Sequence, residues 1–199
     1  MRITKILEDW PTGNLNAGID ECGRGCGAGP VVSAAVILPN GFKSSLIRDS
    51  KKLSEQQRED LSKSIHENHI VSIGWASVEE IDEFNILQAT FIAMKRAIEA
   101  LPQKTGTILI DGRDKIPNLV GYSQKAIIKG DQLVSVISAA SIAAKVARDQ
   151  FMKKLSAEYS VYGFEQHKGY GTAKHRQQIQ AHGPTKWHRQ SFGGVKEYV

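Results

Sequence analysis

The chain has 199 residues, 41% of them hydrophobic and 24% charged, enough apolar material for a domain with its own core and too much for a disordered or low-complexity polymer. Lysine and arginine outnumber aspartate and glutamate by 26 to 21, and the resulting +5 favours a polyanionic partner without specifying one. The longest apolar runs, such as VVSAAVIL, fall short of a membrane span, and MRITKILEDW lacks a signal-peptide core, so a cytosolic protein with no membrane association is expected.

In chain order, NAGIDECG and PVVSAAVILP read as two strands joined by a glycine turn, with Pro39 closing the second. The glycines at 23, 25 and 27 fit a nucleotide-binding pattern only superficially, because such a loop must open a helix and here Pro30 and a β-rich run follow. Cys22 and Cys26 have no partner pair with zinc spacing and are expected as free thiols. LSEQQREDLSKSIHEN predicts a helix with Ser54 as cap and Gln57 as capping-box partner. HIVSIGWASV predicts a strand, and ILQATFIAMKRAIEAL a helix whose core face carries Leu87, Phe91, Met94, Ile98 and Leu101.

TGTILIDGR reads as a short buried strand ending on Asp111, and KAIIKGD as another delivering Asp131. QLVSVISAASIAAKVARDQFMKKLSAEY predicts one long helix, its Ser/Ala-rich middle suited to close packing on a sheet, and TAKHRQQIQAH a shorter one. His167, His175, His182 and His188 lack helical i, i+4 spacing and are expected on the surface or near phosphates. The pattern predicts an α/β mixed sheet with flanking helices over residues 1–199, with a small helical extension from about 160 to 199.

An acid at one strand end is ordinary, and Asp131 also sits where a helix cap belongs. Several such ends in one small domain are harder to dismiss. If they lie level, Asp20, Glu21, Asp111 and Asp131 converge, and such a cluster needs a hard cation such as Mg²⁺ or Mn²⁺ between its members. Two ions ~4 Å apart would suit phosphodiester hydrolysis. Glu21 reaches the site of Asp20 only if the strand bends or ends there, which Gly23 makes easy.

The blocks DECGRG with GAGPVV, DSKKLS, NILQAT, LIDG, KGD, SAASIAAKVARD, HKGYGT and HRQSF, in this order, resemble bacterial ribonuclease HII over nearly the whole chain. The resemblance implies a ribonuclease H-like fold and endonucleolytic cleavage of RNA in RNA–DNA hybrids, including 5′ of single ribonucleotides in duplex DNA, leaving 3′-hydroxyl and 5′-phosphate ends. It implies Asp20, Glu21, Asp111 and Asp131 as catalytic, metal-binding acids using two Mn²⁺ or Mg²⁺ ions. It implies substrate contacts from Gly23, Arg24 and Gly25 at the ribonucleotide, from Tyr170 on the neighbouring deoxyribose, and from Lys51, Ser138 and Lys145 at phosphates. Cys22 stands where the family usually has alanine. A monomer is expected. Two alternatives stay open: a nuclease of the same broad fold acting on structured DNA, and a binding module without catalysis, which four clustered acids disfavour.

Overall fold

The computed structural model describes residues 15–39 and 53–199; Lys51 lies outside them. A five-stranded sheet is built from β1 (Ala17–Cys22), β2 (Val31–Ile37), β3 (Ile70–Ala76), β4 (Thr107–Asp111) and β5 (Ser123–Ile127), in the order β3-β2-β1-β4-β5. β2 runs antiparallel to both neighbours, whereas β1, β4 and β5 are parallel, so their carboxyl ends leave the sheet along one edge. Ligand sites in open α/β sheets form at such an edge.

Both faces of the sheet are covered. β2 is buried at all seven positions, and its side chains divide by the two-residue strand period. Ala35 and Ile37 join Met94, Ala97 and Ile98 of one layer, while Ala34 and Val36 join Ala139, Ala140 and Ala143 of the other. The first layer is helix α2 (Val78–Glu99); the second is α4 (Ser135–Glu158) with α1 (Glu55–Asn68) beside it. α1 begins at the expected capping box, with Ser54 Oγ accepting from Gln57 N–H and Gln57 accepting from Ser54 N–H.

Three elements differ from expectation. α2 starts eight residues before Ile86, at a second capping box of Ser77 and Glu80, and is broken at Asn85, which has φ 68° and accepts from the Leu87 and Gln88 amides to cap the next segment. Leu87 is 38% exposed rather than in the core, because the helix rests on its small residues: at Gly74 of β3 a Cβ would lie 2.0 Å from the Ala93 carbonyl oxygen. Asp131 is not a strand terminus. β5 stops at Ile127, Lys129 turns left-handed, and Asp131 falls in the four-residue helix α3 (Gly130–Leu133), which extended Val134 separates from α4.

After α4 the chain forms a 3-10 turn (Ser160–Tyr162), α5 (Phe164–His167) and α6 (Ala173–His182). Tyr162, Phe164, Ile179 and Val195 pack with Ala28, Met152 and Leu155, so this segment shares a core with the glycine loop and α4. Isolated bridges pair Cys26 with Tyr170 and Ala28 with His188. His175 and His188 are fully buried there, contrary to the surface positions expected. Among the described residues no helix is long and apolar enough to cross a membrane.

Candidate active site

The acidic site forms where β1 and β4 part. Their pairing ends at Ile19 with Ile110, one residue short of Asp20 and Asp111, while Asp20 and Glu21 stay paired to β2 opposite Ala34 and Ser33. The side chains are fixed locally. Asp20 Oδ1 accepts the Glu21 amide at 2.7 Å, the Asp20 carbonyl accepts Ser33 Oγ at 2.6 Å, and Asp111 Oδ1 accepts the Asp131 amide at 3.3 Å. Turning from β5 into α3 therefore brings Asp131 against Asp111. Gly18 sets the depth of β1: a Cβ there would lie 2.4 Å from the Val136 carbonyl, so only glycine lets the start of α4 approach.

The electrostatics link Asp20, Glu21 and Asp111 in one environment. Burial, then the charges of Glu21 and Asp111, raise the Asp20 carboxyl well above the usual carboxylate range, against hydrogen bonds from Ser141 and the Glu21 amide. Burial raises Glu21 too, partly offset by Arg24, with Asp111 adding to the rise. Glu21 thus feels Asp111 as Asp20 does, although the two are strand neighbours. Among the described residues, no three Asp, Glu, His or Cys side chains form a ready-made metal cage.

The remaining residues singled out from the sequence surround these acids unevenly. Arg24 and Gly25 are exposed at the tip of the glycine loop, and Arg24 Nη1 lies 3.2 Å from Glu21. Gly23, with φ +100°, is buried against Arg148. Tyr170 is 44% exposed beside Cys26, and burial followed by Cys26 and Cys22 pushes its hydroxyl up to about 12. Lys145 is paired with Asp149 at 2.7 Å, and Ser138 is buried on the same helix. Both cysteines are free, and burial pushes the Cys22 thiol up to about 11, leaving it protonated at neutral pH.

Sequence reasoning missed Ser141, whose hydroxyl bonds Asp20. Its signal was present: residues 138, 141 and 145 are three and four apart and share one face of α4.

The family model for ribonuclease HII matches residues 17–195. The chain belongs to the ribonuclease HII family. Ribonuclease HII of Pelagibacter ubique (strain HTCC1062) is 49% identical over 183 residues, covering 92% of this chain and 98% of that protein. Ribonuclease H2 from Pyrococcus horikoshii OT3 superposes with a TM-score of 0.76 at 25% identity, over 92% of this chain and 96% of that one. Bst ribonuclease HIII, determined in complex with Mn²⁺, gives the same TM-score at 18% identity over 92% and 68% of the two chains, a likeness of fold. As a ribonuclease HII family member the chain is a nuclease, with the ribonuclease H-like mixed sheet expected from its sequence.

Proposed function

We propose that the chain is an endonuclease that hydrolyses the RNA strand of RNA–DNA hybrids and cuts 5′ of single ribonucleotides embedded in duplex DNA, leaving 3′-hydroxyl and 5′-phosphate ends. The observation that carries this reading is the meeting of Asp20 and Glu21 with Asp111 at the ends of two parallel strands, in a member of the ribonuclease HII family. The reading takes residues 1–199 as one catalytic domain, with the C-terminal segment forming part of the substrate surface.

The donor set fits a hard divalent cation. It offers carboxylate oxygens only, and their crowding raises proton affinities that a cation would lower instead. Mg²⁺ commonly binds through one or two carboxylates plus substrate phosphate oxygens, which suits acids that are near one another without forming a closed cage. Asp20 is the proposed central ligand, with Glu21, Asp111 and Asp131 completing the shells of two Mg²⁺ or Mn²⁺ ions; the Mn²⁺ complex of Bst ribonuclease HIII supports the metal type. When bound, such ions supply Lewis acidity toward water and neutralise charge on the phosphate.

The chain's own groups hold the substrate. Gly23 and Gly25 let main-chain groups approach the ribose 2′-hydroxyl, which distinguishes RNA from DNA. Arg24 presents a planar fork to phosphate, Tyr170 packs on the next deoxyribose, and Lys51, Ser138 and Lys145 meet flanking phosphates. Ser141 keeps the Asp20 carboxylate aimed.

The test uses labelled duplexes containing one ribonucleotide, a uniform RNA strand or DNA alone, with divalent ion or chelator. Metal-dependent cutting of the first two is expected, and Asp20→Asn and Asp111→Asn should abolish it while retaining hybrid binding. Cleavage of the all-DNA duplex, or a fully active Asn variant, contradicts the reading.

A further inference from the structure

Two arginines unused by the proposed chemistry are wholly buried, Arg148 on α4 and Arg189 near the C-terminus. Their hydrogen bonds, among the described residues, go to main-chain carbonyls, and Arg189 also lies over the Phe192 ring. Arg148 donates from Nε to Pro30 (3.0 Å), from Nη2 to Ala28 (2.9 Å) and from Nη1 to Lys168 (2.8 Å). Arg189 donates from Nε to Gly29 (2.9 Å) and from Nη1 to Arg24 (3.0 Å). Four carbonyls of the glycine loop are therefore drawn inward. In a planar trans peptide the C=O and the next N–H point to opposite sides, so drawing in the Arg24 carbonyl turns the Gly25 N–H outward. Gly25 is itself exposed, and a Cβ there would find nothing within 4 Å, so the loop tip is open on that side.

Arg148 does more than brace the loop. Its third donor holds Lys168, two residues before Tyr170, and the Gly27 amide reinforces the tie by donating to Gly169 at 2.9 Å. We infer that Arg148 is a positioning residue for recognition of an RNA-to-DNA step: one guanidinium fixes the glycine loop relative to Tyr170, so that ribose-facing and deoxyribose-facing groups act as one rigid gauge. This rests on the roles proposed above for the loop and Tyr170. The planar fork is essential, because lysine keeps the charge but cannot address three carbonyls in one plane.

The experiment compares kcat/KM on a single-ribonucleotide duplex with kcat/KM on a uniform RNA–DNA hybrid. Arg148→Lys is expected to lower the ratio about tenfold, chiefly through the single-ribonucleotide substrate. Tyr170→Ala should lower it similarly, and the double variant should fall no further, since both act through one contact. Equal losses on both substrates would mark a merely structural role and overturn the inference, as would multiplicative effects in the double variant. A ratio lowered by Tyr170→Ala but not by Arg148→Lys sinks the coupling alone; a ratio untouched by Tyr170→Ala sinks the junction reading and the coupling with it. Should Arg148→Lys not fold, amide exchange of the unaltered protein decides: Gly27 and Tyr170 amides are expected to open with one free energy, and independent opening overturns the inference.

Discussion

Asp20 is held in the fold against its own electrostatic preference. Its folded proton affinity lies above the unfolded value of about 3.9, so its contribution to stability is fully present below that value and is lost as pH rises toward the folded one. Without divalent ion, Asp20→Asn should therefore melt a few degrees above the unaltered protein at pH 7, as calorimetry would record. Adding Mn²⁺ should raise the melting temperature of the unaltered protein and leave the variant nearly unmoved, because only an ion bound to the native state stabilises it. A variant no more stable under chelator would count against this account. At this scale the sequence was partly legible. Asp20 and Asp111 announced themselves as acids ending apolar strands, but Ser141 did not, because a serine on a Ser/Ala-rich helix looks like packing until the helix is laid across β1.

The element on which the site depends most is α4, whose first turn presses on β1 at Gly18. Gly18→Ala would push β1 and α4 apart, at a cost of about 1–3 kcal/mol, equivalent to a fall in Tm of roughly 2–12 °C. Activity should fall more than stability implies, since Asp20 lies two residues on and Ser141 within two turns; melting and kcat measured on one preparation would show it. Ser54→Ala is the contrasting case, because its capping box lies on α1: a loss of about 0.5–2 kcal/mol is expected with kcat unchanged. Strands β1 to β4 were legible because two-residue periodicity and β-branched runs coincide with burial. The first half of α2 was hidden by its acidic face and the break at Asn85, although Ser77 and Glu80 repeat the signature read correctly at Ser54. The placement of Asp131 depends on the left-handed Lys129, a conformation lysine does not advertise.

In the C-terminal segment that closes the molecule over the glycine loop, buried imidazoles form a relay. His175 Nδ1 bonds the Tyr170 carbonyl at 3.0 Å, its Nε2 meets His188 Nε2 at 3.1 Å, and His188 Nδ1 accepts from the Thr185 amide at 2.9 Å. One proton between the two rings satisfies this chain only when both are neutral. Burial, then His167 beside His175 and His175 beside His188, holds both down at about 4, against about 6.5 when unfolded. Between these values the unfolded chain binds more protons, so stability rises with pH through the window and is lost on acidification. The histidine contribution to stability should fall between pH 7 and pH 5, by up to about 1.4 kcal/mol per pH unit for each histidine, and His188→Gln in an Asp20→Asn background should flatten the melting profile over that range; an unchanged slope in that variant would contradict the relay. None of this was visible in the spacing of the histidines, because only folding turns residues thirteen apart into a pair.

The bridge between Gly29 and Arg189 spans 160 positions of the chain. A ribosome must therefore add 160 residues beyond Gly29 before the glycine loop receives this brace. Products that stop short of Arg189 carry the acids with a glycine loop that lacks this brace, so the loop proposed to meet the substrate takes its final form only after Arg189 has been added.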